Sequence, residues 1–307
     1  MDEGRGHTPV LTRELSKLLA VAPGDFVVDA TLGSAGHAAL LAAALSASGT
    51  LLGLDVDSRC LAAAEQRLAD STGRIILQRR DFSELAQALT EVGAERADVI
   101  LADLGVSSTQ LDDPIRGFSF AADGPLDMRM DDRRHTTAAD LVNRLREQEL
   151  ADLIYQYGQE RHSRRIAKAI CNARRVGRIT RTARLAEVVA AAVKVNPKSR
   201  RSKIHPATRT FQALRIVVNE ELDALDALLE CAPRHLNPGG RIGVISFHSL
   251  EDGRVKRDFR RRRDDGIYNL ATKKPVVPDQ QERQANPRSR SAKLRVAVRT
   301  EKAIGTE

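Results

Sequence analysis

Val27-Val28-Asp29-Ala30-Thr31-Leu32-Gly33-Ser34-Ala35-Gly36-His37 decides the fold. A short apolar run ends in an acid. A turn of small residues follows, with Gly33 and Gly36, and then an alanine-rich segment over 38–47 that reads as a helix. Strand, glycine turn and helix build the nucleotide pocket at the carboxyl end of the first strand of a doubly wound sheet. The two glycines are expected to let backbone approach a ligand or take positive φ. Their G-x-x-G spacing differs from the G-x-G-x-x-G of dinucleotide folds. Taken alone, the turn fits an ordinary strand-to-helix connection as well.

The later strands shift the balance. Leu51-Leu52-Gly53-Leu54-Asp55 is apolar and ends in an acid, about twenty residues on, where such folds hold a ribose. Asp55 also fits a cap for a helix starting near Ser58. Ile75-Ile76-Leu77 runs into Asp81-Phe82, and Val99-Ile100-Leu101-Ala102 ends at Asp103. Helical spacing over 10–19, 61–68 and 82–92 separates these runs. The alternation predicts a parallel sheet with Asp29, Asp55, Asp81 and Asp103 along one rim, where open α/β sheets bind ligands.

Beyond Asp103 the pattern breaks. Residues 105–132 form a long loop rich in Gly, Pro, Asp and Ser, whose apolar Phe118, Phe120, Leu126, Met128 and Met130 argue against disorder. Only helical periodicity runs over 138–194. One long helix is expected over 208–232, then a turn at Pro238-Gly239-Gly240 and a fifth strand over 241–247 that ends at His248-Ser249-Leu250-Glu251-Asp252. Residues 260–292 are basic, turn-rich and expected to be poorly ordered in part. Residues 294–299 alternate like an edge strand. The domain reading is a discontinuous α/β domain, 1–112 with 207–307, interrupted by a helical insertion at 113–206.

Composition narrows the partners. Hydrophobic residues make up 42% of the 307, aromatics only 3%, and there is no Trp. Ala and Leu must fill the core, which suits helices on a sheet. Cys60, Cys171 and Cys231 are far apart, as expected for reduced thiols in a cytoplasmic protein. The first residues lack a signal-peptide pattern, and no apolar run reaches the ~20 residues of a bilayer span, so no membrane partner is expected. The net charge is +8. Residues 254–299 carry 15 Lys+Arg against 5 Asp+Glu, and 194–215 carry seven Lys+Arg and no acid. Such concentration points to a polyanion such as nucleic acid, or to a solvated basic tail.

Several chemistries are weakened. The histidines are scattered without cysteine partners at ligand spacing, so no metal is expected. The G-x-S-x-G elbow of a hydrolase and the G-K-[ST] of a P-loop are absent. What remains is a pocket with carboxylates for ribose hydroxyls, Phe82 for an adenine face and little provision for pyrophosphate. That pocket suits S-adenosylmethionine, a cationic nucleoside without phosphates. Asp103 stands where a methyl acceptor would meet the donor.

Longer motifs carry a resemblance. These are His7-Thr8-Pro9-Val10-Leu11, the 29–37 turn, Asp103-Leu104-Gly105-Val106-Ser107-Ser108, Gln110-Leu111-Asp112, residues 116–120 and 124–130, His205-Pro206-Ala207-Thr208-Arg209, residues 246–252 and Asn286-Pro287-Arg288. Together they closely resemble the bacterial MraW/RsmH family over nearly the whole chain. The resemblance implies an α/β Rossmann-like S-adenosylmethionine-dependent methyltransferase with an inserted all-helical domain. It implies N4-methylation of a decoding-centre cytidine of 16S rRNA, within the small ribosomal subunit, with S-adenosylhomocysteine as product. Carried over by residue, the implied cofactor contacts are Ala35, Gly36, His37, Asp55, Phe82, Asp103 and Gln110.

Asp103, or a carbonyl of the Leu104–Ser108 loop, is also the candidate catalytic acceptor on the cytosine amino group, against a role for Asp103 in cofactor binding alone. Phe118, Phe120, Arg209, His248, Asp252, Asn286, Arg288 and Arg290 are candidates for the RNA side, against plainer roles as loop anchors, caps and salt bridges. Two positions depart from the family. Ala35 replaces a usual glycine, and a backbone contact there is expected to survive if its φ is negative. Gly253 stands where Arg is usual. A DNA amino-methyltransferase and a non-catalytic RNA-binding or ribosome-assembly protein remain as rivals.

Overall fold

The computed structural model describes residues 9–193 and 205–303. His7 and Thr8 of the first motif, and Lys194 to Lys203 of the basic stretch, lie outside them. Contacts divide the chain into two compact units, Met1–Gly105 with Leu222–Glu307, and Val106–Glu221.

The first unit begins with α1 (Thr12–Leu19), β1 (Phe26–Asp29), α2 (Gly36–Ala42), β2 (Thr50–Asp55), α3 (Ser58–Leu68), β3 (Arg74–Arg79), α4 (Leu85–Glu91) and β4 (Ala97–Asp103). The second holds α5 (Ser108–Asp112), α6 (Ala138–Arg144), α7 (Glu147–Gly158), α8 (Ser163–Val176), α9 (Thr182–Val193) and α10 (Thr208–Asn219). The chain then forms α11 (Glu221–Cys231), β5 (Leu236–Ser246), α12 (Ser249–Asp264), β6 (Tyr268–Leu270), α13 (Gln280–Ala285) and β7 (Lys293–Arg299).

The seven strands form one sheet in the order β3-β2-β1-β4-β5-β7-β6. Strands β1 to β5 pair in parallel, and β7 pairs antiparallel with both β5 and β6. The chain winds outward from β1 through β2 to β3, then returns to lay β4 on the other side of β1. That reversal opens a crevice at the carboxyl ends of β1 and β4, the binding position of doubly wound sheets. Alternate residues of each strand serve opposite faces. Val28, Leu52, Ile100 and Ile242 join one buried cluster, and Val27, Leu51, Val99 and Ile245 join the other. The sheet is therefore apolar on both faces, as its continuous hydrophobic runs require. The helical unit has its own core, from Phe118 and Met128 through Ile154, Ile166 and Leu185 to Phe211 and Leu214.

Several expectations need correction. Strand β7 lies between β5 and β6 and so is not an edge strand, and β5 already begins at Leu236, running through the expected turn at 238–240. Helix α2 ends at Ala42 rather than running to 47, the chain turning through Ala43–Leu45. The long helix over 208–232 is broken, because Glu220 takes φ 54 between α10 and α11. The cause is tertiary. The buried Asn219 side chain accepts a hydrogen bond from Met130 N–H at 2.7 Å and donates to the carbonyl oxygens of Met128 at 2.8 Å and Arg215 at 2.9 Å. Arg215 then pairs with Glu221 across the break at 2.7 Å. Finally, residues 260–292 are ordered, carrying the end of α12, β6, α13 and a short 3-10 turn at Pro287–Ser291. Glu282 in α13 ties this segment to the start of the chain by accepting the Leu11 N–H at 2.8 Å.

Candidate active site

The turn after β1 supplies the frame. Leu32 N–H donates to the Leu54 carbonyl, and Gly33 N–H donates to Asp55 Oδ2 at 2.7 Å. Asp55 Oδ1 accepts from Asp57 N–H at 2.8 Å. Asp55 does not cap α3. Asp57 does, accepting from Arg59 N–H. The carboxylate of Asp55 instead holds the first turn against the end of β2 and keeps lone pairs for further donors. Burial pushes its pKa up to about 6.

The turn itself carries strain. Gly33 has φ 51, and Ala35, at the N-terminus of α2, has φ 56. The negative φ on which a backbone contact at Ala35 depends is therefore not found: the methyl sits in the left-handed region, at about 1 kcal/mol for an L-residue. What compels this is packing, since Ala35 is fully buried and its N–H closes the turn onto the Leu32 carbonyl at 2.8 Å. Gly36 packs closely under Pro9 and does not have a positive φ; a Cβ there would lie 3.3 Å from the Pro9 ring, which would have to give by a few tenths of an ångström.

Asp29, His37 and Asp103 meet beneath this turn. Helix α2 presents His37, which is 5% exposed, with Nε2 2.8 Å from the Val10 carbonyl oxygen and Nδ1 3.2 Å from Asp103 Oδ2. The carbonyl cannot donate, so Nε2 carries a proton. A carboxylate cannot donate either, so Nδ1 carries one too. With the Asp103 carboxyl ionised, the ring is an imidazolium. Burial lowers its pKa, but the charge and hydrogen bond of Asp103, helped by Val10, outweigh it and leave it raised to about 9. Burial pushes Asp29, beside them, up to about 7. The Asp103 N–H donates to Thr31 Oγ1 at 2.5 Å, so a residue of the turn holds the tip of β4 in register with it. Asp103 Oδ1 is buried and has no hydrogen-bond partner among the described residues. An orphaned, buried acceptor at the switch point fits a ligand that brings a donor or a positive charge.

The remaining candidates divide between the units. In the first, Phe82 follows the end of β3, half-buried against the core, while Asp81 is taken up as a cap, accepting from Ser83 N–H. His248 caps α12, and Glu251 Oε2 accepts from the N–H groups of Phe247 and His248 at 2.8 and 3.1 Å. Asp252 sits between Lys293 Nζ at 3.0 Å and Arg295 Nε at 2.7 Å. Desolvation opposes its ionisation, but those two cations prevail and hold its pKa below the usual range. Asn286 caps the Pro287–Ser291 turn by accepting from Arg288 N–H at 3.2 Å, and Arg288 and Arg290 are exposed.

In the second unit, Gln110 is buried and reciprocally caps α5 with Ser107. Phe118 lies in the helical core. The Phe120 ring packs on His205 at 4.6 Å and Phe211 at 4.9 Å. Arg209 is half-exposed, 3.6 Å from Glu160. Thr31 and Asp29 escaped the sequence list of site residues. The pairing of Thr31 with Asp103, 72 positions away, has no local signal.

The match to known sequences decides the family. The model of the MraW methylase family matches residues 4–300. The chain belongs to the MraW methylase family. Among curated relatives, the ribosomal RNA small subunit methyltransferase H of Acidobacterium capsulatum is 49% identical over 302 residues, covering 96% of this chain and 99% of the relative. The protein of the same name from Sorangium cellulosum is 49% identical, covering 96% and 91%. That of Prochlorococcus marinus is 50% identical, covering 99% and 96%. This MraW methylase-family chain thus aligns with those proteins along nearly their whole length.

Proposed function

We propose that this chain is an S-adenosylmethionine-dependent methyltransferase of small-subunit rRNA that methylates the N4 amino group of a cytidine in 16S rRNA. The observation that carries the reading is Asp103 at the end of β4, with one oxygen held by the His37 imidazolium and the other buried and unpartnered. The relatives' shared name supports rRNA of the small subunit as the substrate class. The target cytidine and the N4 position rest on the resemblance and on the chemistry of the site. The bound cofactor supplies an electrophilic methyl group on a cationic sulfur.

The chain's own residues do the rest. Asp55 accepts hydrogen bonds from ribose hydroxyls, and the Gly33–Gly36 turn brings backbone close to the cofactor. Phe82 offers an apolar face for adenine. The cytosine amino nitrogen is a poor nucleophile because its lone pair is delocalised into the ring. Asp103 accepts a hydrogen bond from the amino group, localises the lone pair, stabilises the positive charge that develops and takes the proton that the methylated nitrogen releases. Holding the nitrogen in line with the methyl supplies several kcal/mol more. The base must leave its stack to reach the end of β4. The helical unit serves the RNA, and the reaction takes place in the cytoplasm.

Labelled S-adenosylmethionine offered with small ribosomal subunits, naked 16S rRNA and duplex DNA tests this reading. Label is expected in rRNA, and nucleoside digestion is expected to yield N4-methylcytidine. Label in DNA alone, or cofactor binding without transfer to any substrate, would overturn it.

A further inference from the structure

Residues 161–186 hold nine Lys+Arg and no acid. Most of this stretch is α8, whose inner face buries Ile166, Ala167, Ile170 and Cys171 in the helical core. Its outer face carries Arg164, Arg165, Lys168, Asn172 and Arg175, all exposed, with exposed Arg161 just before the helix. Some cations of this stretch are spoken for. Arg165 donates to the Ala192 carbonyl, Arg174 to the Val142 carbonyl at 2.8 Å, and Arg181 pairs with Asp123 at 2.7 Å. Arg161, Arg164, Lys168 and Arg175 have no ion-pair partner among the described residues. Within the helix, Arg164 and Lys168 stand four apart with like charge, a spacing that destabilises a helix by about 0.2–0.5 kcal/mol.

The other basic helix contrasts with it. On α12, Arg254 pairs with Asp226, Arg261 and Arg262 with Glu230 and Asp258, and Arg263 with Asp264. There the fold pairs four of the seven cations and leaves Lys256, Arg257 and Arg260 without an ion pair among the described residues, whereas α8, which has no acid in its own sequence, has no ion pair to any of its cations among the described residues.

We infer that the outer face of α8 is a phosphate-binding surface for the RNA backbone, centred on Arg164, Lys168 and Arg175. The inference rests on the rRNA-methyltransferase reading and adds the place where the nucleic acid docks. Helical spacing puts these three cations on one exposed stripe, complementary to a polyanion, with Arg161 extending it. Aromatic rings are missing from the stripe, so the surface positions the RNA without reading its bases. Each phosphate contact lowers the slope of log affinity against log salt by about 0.7–0.9.

The test compares Arg164→Gln/Lys168→Gln/Arg175→Gln with a control of equal charge loss on exposed cations of the other unit, Arg13→Gln/Lys17→Gln/Arg234→Gln. Binding of a 16S rRNA fragment is followed by fluorescence anisotropy along a KCl series, beside methyl transfer and cofactor affinity. The α8 variant is expected to bind roughly ten- to a hundredfold more weakly near 0.1 M salt and to lose about 2 from the salt slope. Its KM for RNA should rise while kcat at saturating RNA and cofactor affinity stay near wild type. Matching behaviour of the α8 variant and the control would overturn the inference and leave the enzyme reading intact. Wild-type protein that neither binds nor methylates rRNA would sink both. Binding of wild type to phosphatidylglycerol vesicles as tightly as to RNA, lost in the α8 variant, would make this a lipid surface and overturn the inference.

Discussion

His37 Nδ1 lies 3.2 Å from Asp103 Oδ2 while its Nε2 faces the Val10 carbonyl oxygen at 2.8 Å. With the carboxyl ionised, both contacts are hydrogen bonds only if the ring is cationic. One buried cation therefore orients the carboxylate at the tip of β4, while its second oxygen stays buried without a partner among the described residues. In the proposed reaction His37 is a positioning residue, and Asp103 is the group proposed to meet the reacting amine.

Removing the cation should leave the carboxylate in poor surroundings. His37→Gln is expected to destabilise the protein by roughly 2–4 kcal/mol, since breaking a buried ion pair strands the remaining charge. Urea unfolding checks this. An unchanged midpoint would mean that the pair contributes nothing to stability.

The pH dependence follows from groups whose folded pKa values are raised: Asp29 from 3.8 to about 7, Asp55 from 3.8 to about 6 and His37 from 6.5 to about 9. A raised value means that the folded state holds the proton more tightly, so its stabilisation is full below the unfolded value and is lost as pH rises through the folded value. The Asp29 and Asp55 contributions fade between about pH 4 and 7, and the His37 contribution between about 6.5 and 9. For His37 alone the loss is on the order of 3 kcal/mol. Denaturant titrations at successive pH values should show stability falling towards pH 9, with the upper limb missing in His37→Gln.

Ala35 gives a backbone test. Ala35→Gly relieves about 1 kcal/mol of left-handed strain but loses a buried methyl and adds unfolded-state entropy, so the net change should stay within about 1 kcal/mol. Ala35→Val should cost more than about 2 kcal/mol, because a β-branched side chain is ill suited to φ 56 and has no space. Thermal melts of the two variants distinguish these outcomes.

Asn219 should matter for the helical unit despite lying at the end of a helix. Asn219→Ala strands the Met130 N–H and the Met128 carbonyl, at about 1–3 kcal/mol for each group left unsatisfied in the interior. Hydrogen exchange of the Met128–Met130 amides should accelerate in the variant.

Three strand tips were legible because β1, β2 and β4 are apolar runs ending at the rim in an acid, and the topology followed from their alternation with helices. What escaped depends on contacts distant in sequence. Nothing near Asn219 announces a break, since 208–232 keeps an unbroken apolar stripe. The break is imposed by a loop some ninety residues earlier. Ala35 takes a conformation that its side chain disfavours because buried neighbours hold it there. The order of 260–292 comes from β6 pairing with β7 and from Glu282 reaching Leu11. His37 and Asp103 were each legible as cofactor candidates, but their mutual ion pair spans 66 positions and appears only in the folded chain.

The central claim is that the carboxylates at the ends of β2 and β4 receive the methyl donor. The most direct measurement is a crystal structure of the protein soaked with S-adenosylmethionine. The account predicts ribose hydroxyls within hydrogen-bond distance of Asp55 and the sulfonium methyl facing Asp103. Cofactor density elsewhere on the protein, with this crevice holding only solvent, would contradict it.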